Sequence, residues 1–390
     1  MTLRTWWADP INKNYVYAFF KNFAFFSGVL VPFFTDWGHL SLFQVQILQS
    51  WFSIWVFVLE VPTGAIADKI GRKYSLMIGA VMLAIANIIY GSFPSFTIFL
   101  IAEFIFAVGY ALNSGADQAL LYDTLKSQGR EHESKKIMGR ADALMLAGMM
   151  VAAPIGSLIA PKLGLNAPQY LTAIPMFIAG LLAWSIPEPK LHSESESHRY
   201  LDIVKNGFLA MKRNAVVRTL AIDSVLVSAA AYFVVWFYQP LMSSLGLPIA
   251  LFGLAHAVLL ASEILVSSNF KWLEKFMGEG KQYLKSSAVL VTLSFLIAVI
   301  YPHLITLVIF IVIGGGIGYT RATYISAIAQ KHIPSRERAT TLSSIGMLRR
   351  LVLVPLNPAI GAIATSSLPL ALGAVSLLPL MSLMIKEEVE

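Results

Sequence analysis

The sequence contains no cysteine and few charged residues. The absence of cysteine excludes disulfide bonds and gives no indication of the redox compartment. Charged residues make up 13% of the 390 residues, whereas soluble domains average about 25%. Hydrophobic residues make up 57%. Apolar runs of about 20 residues, the length that a helix needs to cross a bilayer, recur along the chain. The composition therefore predicts an all-α integral membrane protein that is surrounded by a lipid bilayer.

Features that catalysis or nucleic-acid binding would require are also missing. No Walker-type phosphate loop occurs, and the seven histidines lack the spacing of a zinc site. We find no cluster of His, Asp or Ser typical of a membrane enzyme, and the loops leave no room for the soluble domain of a receptor. The net charge of +7 is spread over short loops. We therefore expect no enzymatic activity, no cofactor, no metal and no nucleic-acid partner.

Twelve apolar segments are present, and each predicts a transmembrane helix. The first is long and is followed by further spans, so we predict no cleavable signal peptide. The predicted helices 1 to 12 cover residues 14–35, 42–67, 74–93, 95–124, 137–160, 168–186, 216–241, 249–272, 283–301, 304–330, 339–364 and 368–385.

Lysine and arginine are concentrated in every second loop, and these loops lie on the same side of the membrane. The loops after helices 2, 4, 6, 8 and 10 hold nearly all of them, and the loops between contain only Lys162. Since basic loops stay in the cytoplasm, the pattern predicts that both termini are cytoplasmic. Short loops on a compact chain favour the plasma membrane of a prokaryote, its inner membrane.

A polar segment divides the chain into two halves. Residues 188–213 include the run His192-Ser193-Glu194-Ser195-Glu196-Ser197-His198-Arg199, a composition typical of a flexible linker. We predict an N-terminal six-helix bundle at 1–187, a cytoplasmic linker at 188–213 and a C-terminal six-helix bundle at 214–390.

The loop between helices 2 and 3 carries the most specific motif. It reads Gly64-Ala65-Ile66-Ala67-Asp68-Lys69-Ile70-Gly71-Arg72-Lys73. This string resembles the signature loop of the major facilitator superfamily, a large family of secondary transporters, and fills every defining position of its pattern. The resemblance implies two pseudo-symmetric six-helix bundles with a cavity between them. It also implies a cytoplasmic gate formed by Gly64, Asp68, Gly71, Arg72 and Lys73.

Ionisable residues inside the apolar spans are the candidates for transport chemistry. Each is costly in hydrocarbon and therefore usually faces a cavity or a partner. They fall only on helices 1, 2, 4, 5, 7, 8, 10 and 11, the helices that line the cavity in the family that the chain resembles. The candidates for proton coupling are Glu103, Asp117, Asp223 and Glu263. The candidates for the substrate cavity are Lys21, Asn113, Trp236, Arg321, Arg349 and Arg350.

Two carboxylates near the cytoplasmic ends are weaker candidates. For Glu60 and Asp142 we favour local pairing with Arg140, Arg72 or helix ends. In the family that the chain resembles, drug–proton antiporters usually carry an arginine at the position of Glu103. The change of charge puts the standard antiport coupling in doubt for this chain. A glutamate at this position is itself a candidate proton carrier.

Several transport functions fit these features. The leading hypothesis is a monomeric secondary transporter that works by alternating access and exports small amphipathic compounds against protons. The alternatives are proton-coupled uptake of a polar or anionic solute and flipping of a lipid-type compound.

Overall fold

A computed structural model of the chain describes residues 3–189, 209, 213–333 and 338–385. These residues form helices and no strand. We number the helices as predicted: α1 Pro10–Trp37, α2 Leu42–Ile70, α3 Arg72–Ser92, α4 Phe96–Ser127, α5 Ser134–Leu163, α6 Ala167–Ser185, α7 Ala215–Ser244, α8 Ile249–Ser268, α9 Lys281–Ile300, α10 Leu304–His332, α11 Arg338–Ser366 and α12 Leu368–Ser382.

Eleven of these described helices are long and apolar enough to cross a membrane, and α12 is shorter, with 15 residues. The predicted all-helical membrane fold is confirmed, with twelve as an approximate count of spans. Two short helices lie outside the set. Leu3–Ala8 precedes α1, and Phe270–Met277, which we call the connecting helix, joins α8 to α9. The prediction that helix 8 continues to residue 272 is therefore wrong, because α8 ends at Ser268.

Helix α1 is interrupted, although its sequence predicts a continuous span. Asp9 caps it by accepting the Ile11 N–H at 2.9 Å, and α-helical geometry then ends at Lys21. A 3₁₀ segment at Phe25–Val29 and π-helical turns at 33–37 follow. The Phe25 N–H donates to the Thr172 hydroxyl of α6 at 3.0 Å, so a side chain of a neighbouring helix satisfies the backbone at the break.

Helices α4 and α10 also depart from regular geometry. The α4 helix breaks after Asn113 and resumes at Ala116, and Gly115 between them has φ +76°, a conformation that favours glycine. In α10, Phe310–Ile317 forms π-helical turns. Gly315 and Gly316 in that segment lie against Leu259 and Ser262 of α8, so small residues permit a close approach of the two helices.

The chain forms two compact units. The first contains Met1–His39, Trp51–Tyr200 and Ile249–Ala257. Its core joins α1, α3, α4 and α6 through buried apolar side chains that include Tyr17, Leu76, Leu120 and Leu182. Gly148 and Gly156 of α5 lie directly against the carbonyl oxygens of Phe19 and Phe25 in α1.

The second unit contains Leu40–Ser50, Leu201–Pro248 and Val258–Glu390. The start of α2 belongs to it because the Phe43 N–H donates to the Thr365 hydroxyl at 2.9 Å. The Ser50 hydroxyl likewise donates to the Val354 carbonyl at 2.7 Å. The predicted division into bundles at 1–187 and 214–390 stays a prediction, and most of the predicted linker at 188–213 lies outside the described residues.

A fully buried ion pair lies in the interior of the second unit. Arg321 of α10 donates to both carboxylate oxygens of Asp223 in α7, at 2.7 and 2.8 Å from Nη2, and the two side chains are 1% and 0% exposed. The Arg321 guanidinium also donates to the Leu284 carbonyl and the Ser287 hydroxyl of α9. These contacts link three helices. They also compensate the charge of an arginine whose burial would otherwise be too costly.

Apolar side chains cover the outer surface of the described helices. On α6, Ile174, Phe177 and Leu181 are exposed at helical spacing, and on α9 Leu293 and Ile300 are exposed. Patches of this extent are typical of a surface that faces lipid rather than water.

The close contact between α1 and α5 can be tested with two glycines of α5. A Cβ at Gly156 would run into the Phe25 carbonyl, whereas nothing lies within 4 Å of a Cβ at Gly139. We expect Gly156→Ala to cost about 1–3 kcal/mol of stability by overpacking, and Gly139→Ala to be neutral or slightly stabilising. Thermal unfolding of the purified protein in detergent, followed by circular dichroism, measures both. Equal midpoints for the two variants would contradict the packing.

The buried ion pair predicts a non-additive response. Asp223→Asn leaves the Arg321 guanidinium buried without its carboxylate, and we expect a loss of about 3–5 kcal/mol. The double variant Asp223→Leu/Arg321→Met should lose less than Asp223→Asn alone, because no buried charge remains. The control is Arg130→Gln, which breaks a surface pair with Glu133 and should leave stability nearly unchanged, because surface ion pairs contribute little. Purely additive losses in unfolding experiments would refute the coupling.

Candidate functional site

The first unit contains a cavity of about 160 Å³ between α1, α4 and α5. Polar and charged side chains line one part of it, and apolar side chains line the rest. The lining residues are Asn14, Tyr17, Ala18, Lys21, Asn22, Asp117, Gln118, Leu121, Met138, Ala141, Asp142 and Met145.

An ion pair forms part of the cavity wall. Lys21 Nζ lies 2.7 Å from Asp117 Oδ2, and the two side chains are 16% and 33% exposed. Each charge lies at the helix end that favours it. Lys21 is in the last turn of the α-helical part of α1, and Asp117 is in the first turn of α4 after the Gly115 break. The sequence prediction placed these residues in different classes, and the structure brings them together.

Asp142 contributes a second carboxylate to the same wall. Within the described ranges it has no hydrogen bond or ion pair, and it interacts electrostatically with Asp117. Lys21 is the one basic residue among the twelve that line the cavity. The lining therefore holds two carboxylates and one ammonium group. The local pairing that we favoured for Asp142 is not found in the described part of the chain.

Tyr17 connects the cavity to a buried amide behind it. The Tyr17 hydroxyl donates to Asn113 Oδ1, and Asn113 Nδ2 donates to the Gly109 carbonyl at 2.7 Å. Asn113 is buried and does not line the cavity, so it orients the tyrosine that does. The apolar part of the wall comes from Leu121, Met138 and Met145.

Two charged candidates of the second unit gather around a tyrosine. Tyr319 of α10 interacts electrostatically with Glu263 of α8, Arg349 of α11 and Tyr232 of α7. The Trp236 ring is buried, with its centroid 6.2 Å from that of Tyr232. Arg350, the neighbour of Arg349, is half-buried.

The other predicted site residues lie in the interior of their units. Glu103 is buried and accepts a hydrogen bond from the Tyr90 hydroxyl, and the Tyr90 ring packs against Phe33, Phe34 and Phe99. Asp223 and Arg321 form the buried pair described above and do not line the α1–α4–α5 cavity.

The signature loop is fixed mainly through Arg72. The Arg72 guanidinium pairs with Asp123 at the end of α4, and the Arg72 backbone N–H donates to the Glu188 carboxylate. Gly71, with φ +104°, makes the turn between α2 and α3. Lys73 lies over the Tyr74 ring, while Gly64 and Asp68 are exposed. The gate that the resemblance implies stays a prediction.

Sequence reasoning missed most of the polar wall. Asn14, Tyr17, Ala18 and Lys21 recur at helical spacing, so they lie on one face of α1, and that periodicity around Lys21 could have identified the cavity face. Asn22 and Gln118 carry no comparable signal. Their place in the wall follows from the breaks in α1 and α4.

Comparison with known proteins gives both a family and individual relatives. The profile of the Major Facilitator Superfamily matches residues 15–355. The chromaffin granule amine transporter of Homo sapiens is 25% identical over 153 residues, which are 39% of this chain and 29% of that protein. A Bacillus subtilis (strain 168) protein with the provisional name niacin/nicotinamide transporter NiaP is 26% identical over 174 residues, 44% of this chain and 42% of that one. The chain therefore spans less than half the length of each relative that it matches.

The fold is also similar to that of a solved transporter. The crystal structure of the nucleoside transporter NupG superimposes with a TM-score of 0.79 at 13% identity, over 96% of this chain and 98% of that one. At this identity the likeness shows the fold alone. The family and the two relatives, both named as transporters, point to transport rather than catalysis. Since the family profile covers nearly the whole chain, the protein belongs to the Major Facilitator Superfamily.

Proposed function

We propose that the protein is a secondary transporter that exports small amphipathic organic cations in exchange for protons. The observation that carries this proposal is the α1–α4–α5 cavity, whose wall holds two carboxylates and one lysine. Alternating access is the mechanism that the family fold supports.

Exchange follows from the charge balance of the cavity wall. Lys21 compensates Asp117 at 2.7 Å, and Asp142 has no such partner among the described residues. The Asp142 side chain is accessible, so its uncompensated carboxylate can accept either a proton or the cationic group of a substrate. Two ligands that neutralise one carboxylate compete for it, and this competition couples the movement of one to that of the other.

The apolar part of the wall suits the remainder of such a substrate. Met138 and Met145 are flexible and polarisable, so they can adapt to different hydrocarbon shapes. A cavity of about 160 Å³ is below the about 300 Å³ of typical ligand pockets. We therefore expect it to enclose a small group such as a substituted amine. The relative named as an amine transporter is consistent with this substrate class.

The basic side chains in the described interior are less suited to binding an anionic solute. The Arg321 guanidinium is occupied by Asp223, and Arg349 shares the surroundings of Tyr319 with Glu263. Proton-coupled uptake of a polar or anionic solute and lipid flipping remain the alternatives, and flux measurements separate them. The distribution of lysine and arginine favours cytoplasmic termini, and we propose that the protein is a monomer in the plasma membrane.

The coupling can be tested in proteoliposomes with an acidic lumen that contains a pH-sensitive dye. Ethidium, a permanent cation, is added outside, with nicotinate, nicotinamide and uridine as comparison compounds. Antiport predicts that ethidium alkalinises the lumen, because protons leave as the cation enters. We expect Asp142→Asn to slow this signal at least about tenfold, since it removes the charge that cation and proton share.

The matched control is Asp36→Asn, which changes an exposed carboxylate outside the cavity and should leave the rate unchanged. Acidification of the lumen would indicate symport instead of antiport. A response to nicotinate but not to ethidium would favour uptake of anions. A native rate in Asp142→Asn would refute the role of this residue.

Lys21 should set the preference for the charge of the substrate. Lys21→Gln removes the one basic residue of the wall and frees the Asp117 carboxylate, so we expect ethidium to bind about tenfold more tightly. We also expect the variant to accept propidium, a dication, which the native protein should transport poorly. Competition between the two dyes in proteoliposomes measures this change. An unchanged ratio of propidium to ethidium transport would show that Lys21 does not act on the substrate.

A further inference from the structure

The connecting helix, Phe270–Met277, presents three chemically different sides. Successive residues are about 100° apart. The first side consists of Phe270, Leu273 and Met277, which pack against the core of the second unit formed by α7, α9, α10 and α11. This side fixes the helix against the transmembrane bundle.

The two remaining sides are exposed and lie next to each other. One carries Lys271 and Lys275, both exposed. The other carries Trp272 and Phe276, which are 56% and 72% exposed, with ring centroids 4.8 Å apart. A basic side therefore borders an aromatic side along two helical turns.

The orientation of the connecting helix is set by α10. The Tyr324 hydroxyl donates to Glu274 Oε1 at 2.7 Å and accepts the Gly280 N–H at 3.0 Å. These bonds hold the helix at its middle and just beyond its end. The exposed aromatic side thus cannot turn inward without breaking the contacts of Tyr324.

The surroundings of the helix are those of a membrane surface. It lies between two membrane-spanning helices, α8 and α9. Leu265, near the end of α8, is exposed as a lipid-facing residue would be. The segment from 270 to 285 contains the four lysines Lys271, Lys275, Lys281 and Lys285 but only two glutamates, and one of these, Glu274, is bonded to Tyr324. Aromatic rings beside lysines are typical of a helix that lies in the headgroup region.

We propose that the connecting helix is a binding site for an anionic phospholipid. Lys271 and Lys275 bind the phosphate of the headgroup, and Trp272 and Phe276 insert beside its acyl chains. A zwitterionic lipid supplies the same apolar contact but no net negative charge, so the two lysines provide the selectivity. Tyr324 bonds this helix to α10. The bound lipid therefore also stabilises the end of α10, in which Arg321 lies one turn before Tyr324.

The test uses native mass spectrometry of the full chain in detergent, with phosphatidylglycerol or phosphatidylcholine added. We expect phosphatidylglycerol to bind more tightly. Lys271→Gln/Lys275→Gln should weaken it about fivefold per lysine, or about 25-fold in total, and leave phosphatidylcholine unchanged. Trp272→Ser/Phe276→Ser should weaken both lipids. Thermal midpoints of all variants confirm that they are folded.

The matched control is Lys135→Gln/Lys136→Gln, which removes two exposed lysines at the start of α5 and should leave binding unchanged. Three results would overturn the proposal. The first is native affinity in Lys271→Gln/Lys275→Gln. The second is an equal loss in both lysine pairs, which would assign binding to general surface charge. The third is displacement of the lipid by soluble glycerol phosphate at the same concentration, which would indicate a site for small anions.

Discussion

Hydrocarbon cannot solvate an isolated charge, and the described interior of this protein follows from that constraint. Lys21 is compensated by Asp117 and Arg321 by Asp223. Each pair joins different helices, so the need to neutralise charge also fixes how the helices are arranged. The exposed apolar side chains of α6 and α9 need no such compensation, because they carry no charge.

The two ion pairs inside the helical units differ in their exposure to solvent, and we infer different roles for them. The Asp223–Arg321 pair is sealed, bidentate and bonded further to α9. The Lys21–Asp117 pair is partly open and has the second carboxylate of Asp142 beside it. A sealed pair has no means of exchanging its partners, whereas an open one borders a space that a ligand can enter. This difference favours the α1–α4–α5 cavity over the buried Arg321 as the proposed site for substrate.

Much of the fold could be predicted from the sequence, because span length, loop charge and the motif around Asp68 are local signals. The pairing of charges could not, since Lys21 and Asp117 are 96 residues apart and Asp223 and Arg321 are 98 apart. The breaks in α1 and α4 were missed for a related reason. Thr172, in another helix, satisfies the backbone at one break, and the pair Ser114-Gly115 makes the other. Asp142 was judged by depth alone, and its neighbours give it a place in the cavity.

The break at Gly115 makes α4 two rods instead of one. The first rod is anchored by the hydrogen bond of Glu103 with Tyr90 and by the rings packed around that tyrosine. The second rod carries Asp117 and is joined to the first by extended Ser114 and left-handed Gly115. The position of the carboxylate therefore depends on the backbone torsions of these two residues, and the aromatic anchor belongs to the other rod. The two ends of this one span are thus held by separate sets of contacts, aromatic packing at Tyr90 and ion pairs at Asp117 and Asp123.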